Sequence, residues 1–369
     1  MIPIYEPYLP EKSLKHAHEA LGSTWISSQG KYVNQVQEKL QNTFGVKHAQ
    51  LINNGTAATH LVAKALLRKH PNIKKLFVPN NVYVAAWNAF CYDNNIELVP
   101  IDADISTWNF DIEQLKNKIE ENCAVLVVHN IGNIINVPRL KKELPASTIF
   151  VEDNCEGFMG TYEDKFSGTE SLISSLSFFG NKTITCGEGG AILTNDTATY
   201  EYITKVKGQG QSDERYVHDV LGYNYRLTNI QAALLLGQLE TLPEILVRKD
   251  EVFSLYRDAF AQLENVHVQE APEGTNHSNW MMGIRIEGAS CFAETSAFLK
   301  ERGVDSRPMF YPMSAHKHLE HYANPKDEVV ASQLSKECIL LPSYPGLAKA
   351  QCMKVIESVQ EFCVGDVPR

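Results

Sequence analysis

The sequence predicts an α/β protein: a large unit on a mainly parallel sheet covered by helices, followed by a smaller C-terminal α+β unit. Three observations predict it. Short apolar runs alternate with segments of helical period from residue 49 to residue 151. Those runs, Ala124 to Val128 above all, are continuously apolar, as strands buried on both faces must be. A long amphipathic segment from Ile245 to Leu263 then leads into a different pattern, so the 369 residues divide into 1–243 and 244–369.

The elements follow in order. Residues 11 to 22 read as a short helix, and Trp25-Ile-Ser-Ser-Gln-Gly30 is a polar turn carrying an aromatic. From Val33 to Phe44 apolar side chains recur at helical spacing, marking a helix that covers something with one face. The run Ala49 to Ile52 is a strand, and Asn53-Asn-Gly-Thr-Ala-Ala-Thr59 turns into a helix that reaches Lys69. Strand and helix signals then alternate: strand Lys75 to Val78, helix Val84 to Tyr92, strand Glu97 to Ile101, helix Ile112 to Glu120, strand Ala124 to Val128. After Pro138 a helix runs to Leu144, and Thr148 to Val151 is another buried strand. Ala191 to Thr194 form a further strand, followed by a helix from Thr199 to Lys207. Thr228 has the side chain of an N-cap for a helix to Leu242, which Pro243 interrupts. In the second unit, strands are expected near Val266 to Val268 and Trp280 to Ile286, with helices at Phe292 to Arg302 and Ala348 to Phe362.

Composition narrows the function classes. Apolar residues at 44% and charged residues at 21% describe an ordinary globular chain. A net charge of −10, from 34 basic and 44 acidic residues, argues against binding nucleic acid over a broad surface. The eight cysteines are scattered without metal-ligand spacing, so neither a metal site nor a disulfide framework is expected. No run of about 18 apolar residues occurs, and the first residues lack a basic stretch leading into an apolar one. The expectation is a cytoplasmic protein with no membrane partner.

Chemistry concentrates in Leu176-Ser-Phe-Phe-Gly-Asn-Lys-Thr-Ile-Thr-Cys-Gly-Glu-Gly-Gly190. One lysine, Lys182, stands among small and polar residues, and glycine fills 187, 189 and 190, where the backbone turns and a ligand can come close. Two further parts match it. The strand that ends in Gly55-Thr56 opens a helix whose free N–H groups and dipole suit a phosphate; the alternative is a helix capped by Thr56 alone. Asp153 stands at the carboxyl end of a buried strand, where such sheets bind ligands, although an aspartate there can also serve as a cap. A placed lysine, a strand-end carboxylate and a phosphate-holding helix start are the parts that a pyridoxal phosphate site requires. The amine forms a Schiff base with the aldehyde, the carboxylate keeps the pyridine nitrogen protonated, and the amides anchor the phosphate. No other common cofactor uses all three.

With these motifs in place the chain resembles the DegT/StrS-type sugar aminotransferases, from Trp25 to about Pro345. Phe178-Phe-Gly-Asn-Lys-Thr-Ile-Thr185, Gly187-Glu-Gly-Gly190, Lys207-Gly-Gln-Gly210 and Gly222-Tyr-Asn-Tyr-Arg226 most resemble its GDP-perosamine synthase branch. The resemblance implies the fold type I, aspartate aminotransferase-like architecture of pyridoxal phosphate-dependent transferases. It implies that Lys182 is the catalytic, cofactor-linked lysine and Asp153 the partner of the ring nitrogen. Thr56, Ala57 and Ser177 would anchor the phosphate, and Tyr83 would lie over the ring face, where plain core packing is the alternative. Asn224 would reach the phosphate of a neighbouring subunit, making a homodimer with shared sites. Glu156 falls where many relatives carry Gln or His, near the ring's phenolic oxygen, and a carboxylate there would repel that oxygen unless one of the two is protonated. In a related dehydratase branch a histidine replaces the lysine, and Lys182 argues against that chemistry.

The implied activity moves the amino group of glutamate, through the pyridoxal and pyridoxamine forms of the cofactor, onto C4 of a GDP-, UDP- or TDP-linked 4-keto-6-deoxyhexose. Amination at C3 or of an inosose is the neighbouring alternative, and a non-catalytic cofactor-binding sensor the remote one. Contacts to the sugar nucleotide are expected among Trp25, Ser27, Ser28, Gln29, His129, Asn130, His218, Arg226 and the stretch from Arg307 to Tyr311; for most of them a structural hydrogen bond is the competing explanation.

Overall fold

Two helices, α1 (Glu11–Gly22) and α2 (Lys31–Phe44), precede the alternating region β1 (His48–Ile52), α3 (Gly55–Lys69), β2 (Lys75–Pro79), α4 (Ala85–Cys91), β3 (Glu97–Ile101), α5 (Ile112–Lys118), β4 (Ala124–Val128), α6 (Val137–Glu143) and β5 (Ile149–Asp153). A small hairpin, β6 (Thr161–Tyr162) and β7 (Lys165–Phe166), leads to β8 (Ser174–Ser177), β9 (Gly190–Thr194) and α7 (Thr197–Lys207). After an extended segment come α8 (Asn229–Glu240), α9 (Leu242–Phe260), β10 (Val266–His267), β11 (Thr275–Asn276), β12 (Met282–Ile286), α10 (Phe292–Glu301), β13 (Arg307–Pro308), α11 (Val329–Glu337), β14 (Cys338–Leu341) and α12 (Lys349–Val364). The structure, a computed structural model, describes residues 1–93 and 96–364. Residues 94–95 and 365–369, which fall within the two expected units, lie outside the described residues.

Seven strands form the central sheet in the order β1-β9-β8-β5-β4-β2-β3. From β8 to β3 every neighbour is parallel, and β9 alone runs antiparallel to both of its neighbours. The reason is local. Helices carry the chain back between β2, β3, β4 and β5, and the segment with the hairpin β6–β7 does so between β5 and β8, whereas β8 returns through the short turn 178–189, which leaves no room for a crossover. That turn carries Lys182 and therefore sits at the carboxyl edge of the sheet.

The continuously apolar strands are explained by the two layers they face. Leu76, Val78, Leu126 and Val128 pack with α3 and α4 in one core, while Phe77, Val125 and Val127 pack with Leu115 of α5 and Leu140 of α6 in another. Each such side chain contributes about 1.5–3 kcal/mol when fully buried. A further core joins α1, α2 and α8 to the outer strands, through Val36, Leu40, Ala232 and Leu235. Thr228 caps α8 by a reciprocal arrangement with Gln231, whose backbone N–H its hydroxyl accepts.

The expected break near Pro243 is present, since α8 ends at Glu240 and α9 leaves it at 66°, and the proline belongs to the second helix. It occupies the first turn of α9, where its missing N–H has no partner to lose, so α9 begins at Leu242. The C-terminal unit holds a four-stranded antiparallel sheet, β10-β12-β14-β13. Its strand β14 and helix α11 are absent from the sequence-based expectation; Cys338–Leu341 is only four residues long, too short to show a period. The first residues also join this unit, with Ile2 bridging Val304. That path brings Tyr5 to the carboxyl edge of the large sheet. Among the described residues no single helix is long and apolar enough to cross a membrane.

Candidate active site

A cavity of about 870 Å3 opens at the carboxyl edge of the large sheet and is closed from the far side by the C-terminal unit. Thr56, Ala57, Tyr83, Asp153, Glu156, Ser177, Lys182 and Tyr311, all singled out in the sequence, line it. They arrive from the ends of β1, β2, β5 and β8 and from the segment after β13.

At the start of α3 the N-cap is Asn54, whose side chain accepts from Ala57 N at 2.8 Å. The Thr56 hydroxyl is therefore not the cap. Gly55 lies against β8: a Cβ there would stand 2.8 Å from Ser177 Cβ. Only glycine lets the helix start come this near to the Ser177 hydroxyl, which forms a cradle of the size and polarity that a phosphate needs.

Asp153 is buried at the end of β5. One carboxylate oxygen accepts from Cys155 N at 3.1 Å, the other from Thr59 Oγ1 at 3.3 Å. Among the described residues no cation lies within 4 Å of it. A buried carboxylate with neutral neighbours alone matches a cationic ligand group such as a protonated pyridine.

Glu156 is also buried. Its Oε2 accepts from Ile131 N at 2.8 Å. That N–H is aimed by an unusual backbone, since Ile131 adopts φ 56°, ψ 11°, a left-handed conformation that β-branched residues avoid. Burial pushes the Glu156 carboxyl up to about 7, against the opposing pull of the Lys182 charge. The side chain is thus about half protonated near neutral pH, which lessens the repulsion expected of a carboxylate beside a phenolic oxygen.

Lys182 follows β8 in the turn. Tyr5 OH donates to its carbonyl at 2.7 Å, and Trp280 Nε1 donates to the carbonyl of Asn181 at 2.9 Å. The amine lies 3.8 Å from the centroid of the Trp280 ring. Tyr5 and Trp280 escape sequence reasoning because they come from opposite ends of the chain. Tyr83 stands at the mouth, 59% exposed, with its ring 6.0 Å from Phe310.

Apart from the stretch from Arg307 to Tyr311, the other sequence-selected residues do not reach the cavity. His129 is wholly buried behind the edge of the sheet. Its Nδ1 accepts from Ile135 N at 3.1 Å, so Nε2 carries the hydrogen and donates to Glu152 at 3.0 Å. Both ring nitrogens are used within the protein, and none is left for a substrate. Asn130 is likewise buried, donating to the carbonyls of Asn81 and Trp108. Trp25, Ser27 and Gln29 are exposed, and Ser28 half-buried, on a turn that Asn229 clamps to the start of α8 by donating to Trp25 O. Asn224 and Arg226 are exposed and joined to each other, with Arg226 Nε donating to Asn224 Oδ1 at 3.0 Å. His218 is exposed beside Gln209 O, and Arg307 lines the cavity while paired with Asp305.

The arrangement offers an amine, a cation-seeking carboxylate, a protonated acid and a phosphate cradle around one space. These fit pyridoxal phosphate. Comparison with known proteins agrees with the geometry. Residues 7–360 match the DegT/DnrJ/EryC1/StrS aminotransferase family. The chain is 35% identical to a GDP-perosamine synthase of Escherichia coli O157:H7 across 98% of each chain. It is 32% identical to one of Vibrio cholerae, across 98% of this chain and 99% of the other. Among solved structures, PseC of Helicobacter pylori, an aminotransferase involved in the biosynthesis of pseudoaminic acid, superposes with a TM-score of 0.90 at 24% identity, covering 98% of both chains. That likeness carries the fold type I architecture.

Proposed function

The chain belongs to the DegT/DnrJ/EryC1/StrS aminotransferase family, and on that premise we propose that it is a pyridoxal phosphate-dependent sugar-nucleotide 4-aminotransferase that takes its amino group from glutamate and uses a GDP-linked 4-keto-6-deoxyhexose. The observation that carries the reading is the Lys182 amine facing one cavity with Asp153, Glu156 and the Gly55–Ser177 cradle. The GDP preference is supported by the likeness to GDP-perosamine synthases at 32–35% identity.

Bound in this cavity, pyridoxal phosphate supplies an aldehyde that condenses with amines and a protonated ring that draws electrons from an adjacent C–H bond. The chain's residues do the rest. The N–H groups that open α3, with the Ser177 hydroxyl, hold the phosphate. Asp153 would accept from the ring nitrogen and keep its proton in place. Glu156, steadied by Ile131 N, would in its protonated form face the phenolic oxygen without repelling it. Lys182 Nζ is the amine that would hold the aldehyde. Free of that attachment, the same nitrogen would be the base for the α proton of glutamate and, in the second half, the acid for the sugar carbon that acquires nitrogen.

Asn224 supports a second copy beside this site, because it is exposed on the extended segment before α8 and turned away from its own cavity. The enzyme is then a homodimer with sites shared across the interface.

The experiment is a turnover panel with glutamate and GDP-, UDP- and TDP-linked 4-keto-6-deoxyhexoses, read by NMR of the product. The expected outcome is a yellow protein whose absorbance shifts on adding glutamate and a GDP-sugar with nitrogen on C4. A protein that stays colourless when supplied with cofactor overturns the reading; nitrogen on C3 overturns the position of transfer.

A further inference from the structure

The turn that bears Lys182 is gripped from outside the large sheet, and the grip is built on Trp280. The indole is 4% exposed. Its N–H is bound to the peptide preceding Lys182, as described above. Its own carbonyl accepts from Lys249 Nζ at 2.8 Å, and the same amine donates to Ser343 O. The ring is therefore held at its edge and at its backbone, independently of the Lys182 side chain, whose amine rests on its face. Among the described residues no carboxylate lies within 4 Å of that amine.

An aromatic face is negative and attracts a cation within about 6 Å, most strongly in tryptophan. The proposed reaction needs the Lys182 amine in two conditions, attached and released, and a released amine becomes an ammonium once it has taken the donor's proton. Of the carboxyl groups lining the cavity, Asp153 and Glu156 would be engaged with the ring nitrogen and the phenolic oxygen, and Glu188 is not within 4 Å of the amine. We infer that Trp280 is a positioning residue whose ring face receives the Lys182 amine whenever it is detached and favours its protonated form just after proton abstraction. The inference deepens the functional reading above and rests on it.

Other titratable groups facing the amine are Asp153, Cys155 and Glu156 on the β5 side, Glu188 before β9, Tyr83, Tyr92 and Tyr225 at the mouth, and Tyr5, Arg307 and His316 opposite them. Lys249 lies behind the indole, with buried His277 beyond it. All of them are unchanged in the test.

The test replaces Trp280 with a fluorinated tryptophan, which keeps the shape and the N–H donor but drains the ring face. In the apo-protein, pulse acetylation followed by mass spectrometry measures how readily the Lys182 amine reacts as pH is varied. In the holoenzyme, the donor half-reaction is timed with ordinary and α-deuterated glutamate. Expected at pH 8 are a rise in Lys182 acetylation and a slowing of the half-reaction, each roughly 2- to 30-fold, with a larger isotope effect. Trp280→Phe gives a smaller change in the same direction, and the fluorinated protein decides if that variant fails to fold. A purely structural role leaves the acetylation profile of the fluorinated protein like the parent's, and that result overturns the inference. Borohydride reduction with peptide mapping separates the two layers. Cofactor fixed to a lysine other than 182 overturns the functional reading and this inference with it, whereas attachment to Lys182 with unchanged acetylation overturns the inference alone.

Discussion

Two lysines flank Trp280. Both amines lie near aromatic rings, Lys182 over Trp280 and Lys249 at 5.1 Å from Phe253 and 5.7 Å from Tyr5, and they differ in exposure and in hydrogen bonding. Lys182 lies half-buried in the cavity with an aromatic face beneath its amine and open space before it. Lys249 is 1% exposed in α9, and its amine is shared between two carbonyls. Burial alone pulls the Lys249 amine down to about 7. Its two acceptors suit a neutral amine with two hydrogens, so it can lose its proton and remain fully bonded. The contrast lies in the acceptors: Lys249 is saturated by two rigid carbonyls, whereas the Lys182 amine rests on an aromatic face with no hydrogen-bond acceptor among the described residues.

The comparison breaks most decisively at Lys182. Lys182→Ala should remove turnover of glutamate altogether while the cofactor still binds without a covalent link, because Lys249 is sealed from the cavity. Turnover surviving in that variant, assayed as 2-oxoglutarate release, would assign the chemistry to another amine.

Glu156 sharpens the cavity side. Its carboxyl is raised from 4.5 to about 7 on folding, so the folded protein holds a proton that the unfolded chain releases. The resulting stability is fully present below about pH 4.5 and is lost as pH rises through about 7. Glu156→Gln removes that loss. Between pH 5 and pH 8 the apo variant should gain on the parent by up to about 3 kcal/mol, read from denaturant melts at both pH values. A gap that does not change with pH would show that the carboxyl is ionised in the folded protein.

The smallest effect belongs to the sealed side. Lys249 is lowered from 10.5 to about 7, so its contribution grows as pH rises above 7 and is lost as pH falls through that value. Lys249→Met, which also strands the Trp280 and Ser343 carbonyls, should be more destabilising at pH 9 than at pH 6, by about 2 kcal/mol. Equal destabilisation at both pH values would mean that the amine stays charged when folded.

These two lysines also mark what could be read without coordinates. Lys182 is legible because glycines and a preceding strand leave few other uses for it. Lys249 reads as one more polar residue of an amphipathic helix, and only the packing of α9 under β12 and Ser343 buries it. His129 looks like a ligand-facing strand-end residue, but Glu152 and Ile135 occupy both of its nitrogens. The turn Trp25 to Gln29 and the pair Asn224 and Arg226 lie outside the cavity, a placement that no spacing rule reveals.

By itself the sequence determined the alternation of strands and helices, the edge of the sheet where ligands bind, and the lysine, aspartate and helix start that meet there. These are local matters: hydrophobic period, glycine freedom and strand ends are written in adjacent residues. Tertiary structure decided the antiparallel course of β9, the raised pKa of Glu156 and the meeting of Tyr5, Lys182, Trp280 and Lys249. Those depend on which surfaces exclude water together, and residues 31, 99 and 177 positions apart in the chain carry no mutual signal until the fold brings them into contact.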